Sequence, residues 1–168
     1  MTRFAIRLPQ HQARLVALAI SYHLSRPGSE TDPETLADYR HGLRELRPEL
    51  DSQLEGDSAL VELSPLQTTL LATALSSVAS ELKMYSVFDT MAGQSRRPRS
   101  TAPGFDEGLR MLFPEVAGDP AYASQLAEDI IMLRRALPLG RAQEAIKEER
   151  EAATARRARK RWWQVWRR

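Results

Sequence analysis

Cysteine is absent from the 168 residues, which removes disulfides, thiolate metal sites, iron–sulfur ligation and cysteine nucleophiles together. Aromatics make up only 7% of the chain, and its three histidines, His11, His23 and His41, are scattered over separate segments. Lone histidines on helices read as packing or surface residues, and no metal ligand is expected among them. The longest apolar run is the six residues from Leu15 to Ile20. A bilayer span needs roughly 20, and a signal-peptide core also needs more, so the cytoplasm is the expected location. The Walker A loop, the Gly-x-Gly-x-x-Gly turn, the Gly-x-Ser-x-Gly elbow and the His-Glu-x-x-His helix are all missing,. The expectation is a non-enzymatic binding or scaffold protein with no catalytic residue and no cofactor.

What is present is ordinary globular material, 42% hydrophobic and 27% charged, enough to bury a core. The charge is unevenly placed. Residues 156–168 hold seven arginines or lysines and no acid, leaving 17 basic and 22 acidic groups in residues 1–155. A small net charge of +2 therefore hides a mildly acidic body and a cationic end. A second cationic cluster stands at Arg96, Arg97 and Arg99, in a loop between Gly93 and Gly104. Anionic partners meet such places first.

The chain resembles itself. A shift of 55 lays Ile6-Arg7-Leu8 over Val61-Glu62-Leu63 and matches Gln12, Leu15, Ala17, Ala19 and Ser21 to Gln67, Leu70, Ala72, Ala74 and Ser76. A shift of 66 lays Tyr39–Leu50 over Phe105–Val116, with six of twelve positions identical. The repeated Gly-Leu-Arg-x-Leu-x-Pro-Glu carries weight, since glycine inside a helix costs about 1 kcal/mol and does not recur for propensity. The reading is a duplicated unit of short strand, long helix, connector and short helix ending at Pro-Glu, over about residues 4–57 and 59–137.

Each unit follows from local chemistry. Phe4, Ile6 and Leu8 alternate with Ala5 and Arg7, and Ala59, Val61 and Leu63 repeat that period of two, so both segments read as half-buried strands. A strand needs a partner for its backbone groups; the two can pair with each other, or each with a second chain. Ser64-Pro65-Leu66-Gln67 is a capping box with proline at the first helical position. The helices it and Pro9 open should end near Ala92 and Arg26. Asp32-Pro33 predicts a helix to about Arg47, and Asp119-Pro120 one to about Leu137, ended by Pro138 and Gly140. A final helix is expected from Arg141 to the end. The fold class is mainly α: a duplicated helical bundle over residues 1–140, with a small two-stranded β ribbon, and a long basic, aromatic C-terminal helix over 141–168.

That last helix changes face. At about 100° per residue, Ala142, Ala145, Ile146, Ala152 and Ala153 share one side, opposite Glu144, Glu148 and Glu151. Beyond Ala155 the apolar positions, Ala158, Trp162, Val165 and Trp166, fall on the former glutamate side. Arg156, Arg157, Lys160, Arg161, Arg167 and Arg168 fill the rest, with Arg159 and Trp163 on the flank. Either the helix breaks near Thr154 or the tryptophan face meets something other than the body. Arginines interleaved with indoles suit nucleic acid, by phosphate neutralisation and base stacking. They also suit an anionic membrane surface, a groove in a protein partner, or a second copy of the chain in a homodimer. The cationic loop favours nucleic acid. Arg44 and Arg110, equivalent in the two units, can clamp an anion or pair with Glu49 and Glu115; ion pairing is the expectation.

Overall fold

A computed structural model of the chain describes residues 2–26, 29, 42–91, 103–117 and 119–165. It is mostly helical, with one small antiparallel sheet. In chain order the elements are β1 (Phe4–Pro9), α1 (Gln10–Ser25), α2 (Arg47–Asp51), β2 (Ser58–Leu63), α3 (Pro65–Met91), α4 (Pro103–Leu112), α5 (Pro120–Ala136) and α6 (Leu139–Val165). Short 3-10 turns at Leu43–Leu46 and Pro114–Ala117 precede α2 and follow α4.

The two strands pair with each other, Phe4 opposite Leu63, Ile6 opposite Val61 and Leu8 opposite Ala59. Their alternation is as the sequence predicts. Phe4, Leu8, Ala59, Val61 and Leu63 are buried against the helices, while Ala5, Arg7, Leu60 and Glu62 face solvent. On that outer face Arg3 reaches Glu62 at 3.4 Å.

The starts of α1, α3 and α5 are also those the sequence marks. Ser64 Oγ accepts from the Gln67 N–H at 3.2 Å, and Gln67 Oε1 accepts from the Ser64 N–H at 2.8 Å, closing the capping box. The Gln67 amide also donates to the Gly42 carbonyl at 3.1 Å, fastening α3 to the connector before α2. The Asp119 side chain accepts from Ala121 N–H at 2.9 Å and starts α5. Pro9 gives α1 no side-chain cap.

Three boundaries differ from the expectation. Residues 32–41 of the helix expected over 32–47 lie outside the described residues. At Gly42 the backbone is extended (φ −81°, ψ −169°), and a 3-10 turn begins only at Leu43. Pro48 then sits in the first turn of α2, where its missing N–H costs nothing, so this Pro-Glu opens a helix instead of closing one. Finally, α5 ends at Ala136 as expected, before an extended Leu137 (φ −67°, ψ 142°), as a residue before proline tends to be, but Gly140 takes no part in ending it. Gly140 lies within the first turn of α6, which begins at Leu139 and not Arg141.

The core is organised around α1. All six residues from Leu15 to Ile20 are buried, with Ala13 and Tyr22 beside them. The sequence suggests one apolar stripe; the helix is instead covered all round by α3, α4, α5 and the ribbon, the condition in which an all-apolar helix segment is stable. The packing of α4 on α1 uses two glycines. A methyl group at Gly104 would stand 3.0 Å from Ser25 Cβ, and one at Gly108 would stand 3.4 Å from Leu18 Cδ1. The repeated glycines therefore do different work: Gly108 brings α4 close to α1, while Gly42 offers a carbonyl to Gln67. Across the molecule, α5 packs along α3, and α6 leans on α3.

Candidate nucleic-acid interface

α6 begins as part of the body and leaves it. Ala142 is fully buried and Ala145 and Ile146 are half-buried, but every residue from Lys147 to Arg157 is exposed. The helix is unbroken through Thr154 to Val165, so the expected alternative of a break is not the one adopted. At about 1.5 Å per residue, the part beyond Ile146 extends roughly 28 Å. Its composition explains how the exposed stretch from Lys147 to Arg157 stays helical. Alanine, glutamate, arginine and lysine are the strongest helix formers, and Lys147 and Glu151 stand four apart at 3.9 Å, a spacing that adds a few tenths of a kcal/mol.

Arg156 and Arg157 are exposed on this arm. Arg159, Lys160, Arg161, Trp162 and Trp163 follow on the same helix. One element thus collects seven of the thirteen residues proposed from the sequence for anion binding. Trp166, Arg167 and Arg168, and the loop arginines Arg96, Arg97 and Arg99, lie outside the described residues. Between the body and the basic stretch, Glu148, Glu149 and Glu151 are exposed, a solvated acidic collar as their spacing suggests.

Arg44 and Arg110 are both exposed. Arg110 has no ion-pair partner among the described residues, so the expected pairing with Glu115 is not made. A nearby pair does form, Arg47 with Asp51 at 2.7 Å, and the same arginine donates to Ser21 on α1.

One polar contact has no local signal in the sequence, because its partners are 118 positions apart: His11 Nε2 lies 2.9 Å from Asp129 Oδ2. The His11 ring stands edge-on to Phe113 at 5.8 Å, so the pair ties the start of α1 to α5 and to the turn after α4. The nearby Tyr122 hydroxyl is held above the ordinary tyrosine value, chiefly by burial and then by the Glu115 and Asp129 charges, with Arg14 pulling the other way. Among the described residues no group of three or more His, Asp or Glu side chains could hold a metal ion. A groove of about 160 Å³ between α3 and α5 is lined by Leu75, Ala79 and Ile130 with Lys83 and Arg134; Ser76 and Ser80 also line it, and their hydroxyls donate to the Ala72 and Ser76 carbonyls of α3 itself. Among the described residues no helix is long and apolar enough to cross a membrane.

No known protein family, curated protein or solved structure matches this chain.

Proposed function

We propose that the protein binds nucleic acid, without catalysing a reaction on it, through the far end of α6. The observation that carries this reading is the exposed run from Lys147 to Arg157 on an unbroken helix. It leads to a segment with seven cations, three tryptophans and no acid. Arginines spaced along such a rod neutralise phosphates and release counterions, while indoles between them stack on unpaired bases. The mildly acidic body repels the same ligand, which favours contact at the arm alone. Single-stranded nucleic acid is the better match, since base faces are open to indoles only where the strand is unpaired.

The test is fluorescence anisotropy with a labelled single-stranded oligonucleotide. The full chain should bind with a log K against log [salt] slope of about −3 to −4, the value for four to six phosphates on a single strand. A chain ending at Ala155 should not bind. Equal binding by that shortened chain would remove the arm as the site, and binding only to anionic vesicles, with a blue shift of tryptophan emission, would replace nucleic acid by a membrane surface.

We also read the body as a duplicated unit. Its support is the ribbon register: Ile6 faces Val61, the residue that the shift of 55 lays over it, and Phe4 faces Leu63 as Leu8 faces Ala59. Pairing of a segment with its own repeat about a central residue is what a two-fold relation between the halves requires.

A further inference from the structure

The two edges of the ribbon are not alike. On β2, the side-chain amide of Gln53 takes the place of a neighbouring strand. Its Oε1 accepts from Leu60 N–H at 2.8 Å, and its Nε2 donates to the Leu60 carbonyl at 3.2 Å. Both backbone groups of Leu60 therefore point away from β1. In an antiparallel pair the N–H and C=O of one residue point the same way, and successive residues alternate. Arg7, opposite Leu60, and Ala5, opposite Glu62, must then turn their N–H and C=O outward, on the free side of β1. Among the described residues nothing does for Ala5 and Arg7 what Gln53 does for Leu60, and both are exposed.

We propose that this edge receives β1 of a second copy of the chain, antiparallel about a two-fold axis, making one four-stranded sheet with the order β2-β1-β1-β2. Outward-facing residues must meet outward-facing residues, which leaves three registers near the strand centre. One sets Arg7 against Arg7. A second sets Arg7 against Arg3. The third sets Ala5 against Arg7 on both sides of the axis, makes four backbone hydrogen bonds, and opposes no two arginines. That register also places Ile6 against Ile6 as a closely spaced pair on the helix-facing side. Ile6 is only half-buried in the single chain although it sits between buried Phe4 and Leu8, and the pairing completes its cover. On the outer face, Arg7 comes to lie two strands from the second copy's Glu62 with an alanine between, a separation of about 10 Å, so that Glu62, already 3.4 Å from Arg3 of its own chain, gains a second cation. Opposite charges thus meet in the one of the three registers that opposes no two arginines.

Sedimentation equilibrium on the full chain, without nucleic acid, should show the 19.0 kDa protomer doubling in mass as concentration rises. Hydrogen exchange of the Ala5 and Arg7 amides should slow over the same range. Arg7→Pro removes an outward N–H that no bond within the ribbon uses, so the variant should stay folded by circular dichroism and stay monomeric. If it unfolds, charge exchange decides: Arg7→Glu should weaken the dimer at least tenfold, and Arg7→Glu with Glu62→Arg should restore it. A single-chain mass at every concentration, a dimer unaffected by these variants, or Ala5 and Arg7 amides that exchange alike in both states would each overturn the proposal.

Discussion

Gly104 and Gly108 lie four residues apart on one face of α4, yet their substitution by alanine should have opposite signs. At Gly104 an added methyl meets Ser25 Cβ at 3.0 Å, a tight contact with an atom fixed to the α1 backbone, so the two helices must give by a few tenths of an ångström. The resulting loss, about 1–3 kcal/mol, outweighs the helix propensity gained. At Gly108 the nearest atom is the flexible end of Leu18 at 3.4 Å, and the propensity gain of roughly 1 kcal/mol is largely kept. Urea midpoints should therefore fall for Gly104→Ala and hold or rise for Gly108→Ala; the reverse order would mean that α4 docks on α1 differently. Tyr122 supplies a pH signature at the same scale. Its raised value means that the unfolded chain ionises first on the alkaline side. The contribution is present in full below the ordinary tyrosine value and is lost as pH rises through the raised, folded one. Tyr122→Phe should flatten that alkaline loss of stability, and an ultraviolet difference titration should place the midpoint above that of a free tyrosine.

Among the elements, α3 depends most visibly on its first turn. Ser64→Ala removes the oxygen that accepts from Gln67 N–H and should cost about 1 kcal/mol, read as a lower thermal midpoint with unchanged helix content. This cap, the Asp119 cap and the strand alternation at Phe4–Leu8 and Ala59–Leu63 were legible in the sequence because each is decided within a few residues of chain. The 3-10 turn at Leu43–Leu46 was not: the identical Gly-Leu-Arg lies within a helix at 108–110, so the surroundings and not the local residues choose between the two forms. The Gln53 amide on the β2 edge was equally invisible. A glutamine after a helix has no distinguishing local pattern; its role exists only once β2 lies beside α2. The cover around α1 is tertiary in the same way, since six consecutive apolar residues are compatible with a strand or a helix until neighbours are fixed. For α6 the change of face was legible, and the choice between breaking and projecting was settled by unbroken helix-forming composition.

At the level of the whole molecule the chain divides at Ile146. The described body closes its core among α1, α3, α4, α5 and the ribbon, and no residue from 147 to 157 contributes to it. Ending the chain at Ala155 should therefore change the unfolding free energy by less than about 0.5 kcal/mol, the range for surface changes; a large loss would show that the distal segment folds back on the body. The body itself is not so forgiving. Leu18, fully buried at the crossing of α1 and α4, should cost about 2–5 kcal/mol on truncation to alanine, measured in the same urea titration.

An unbroken helix whose stretch from Lys147 to Arg157 is exposed is also a ruler. On the proposed function, a ligand bound at its tip is held at a set stand-off, on a bearing that turns by about 100° for each residue inserted or removed. Lengthening α6 by two full turns between Glu151 and Ala155 would preserve that bearing and move the cargo outward by about 11 Å, whereas adding two residues would swing it to the opposite side.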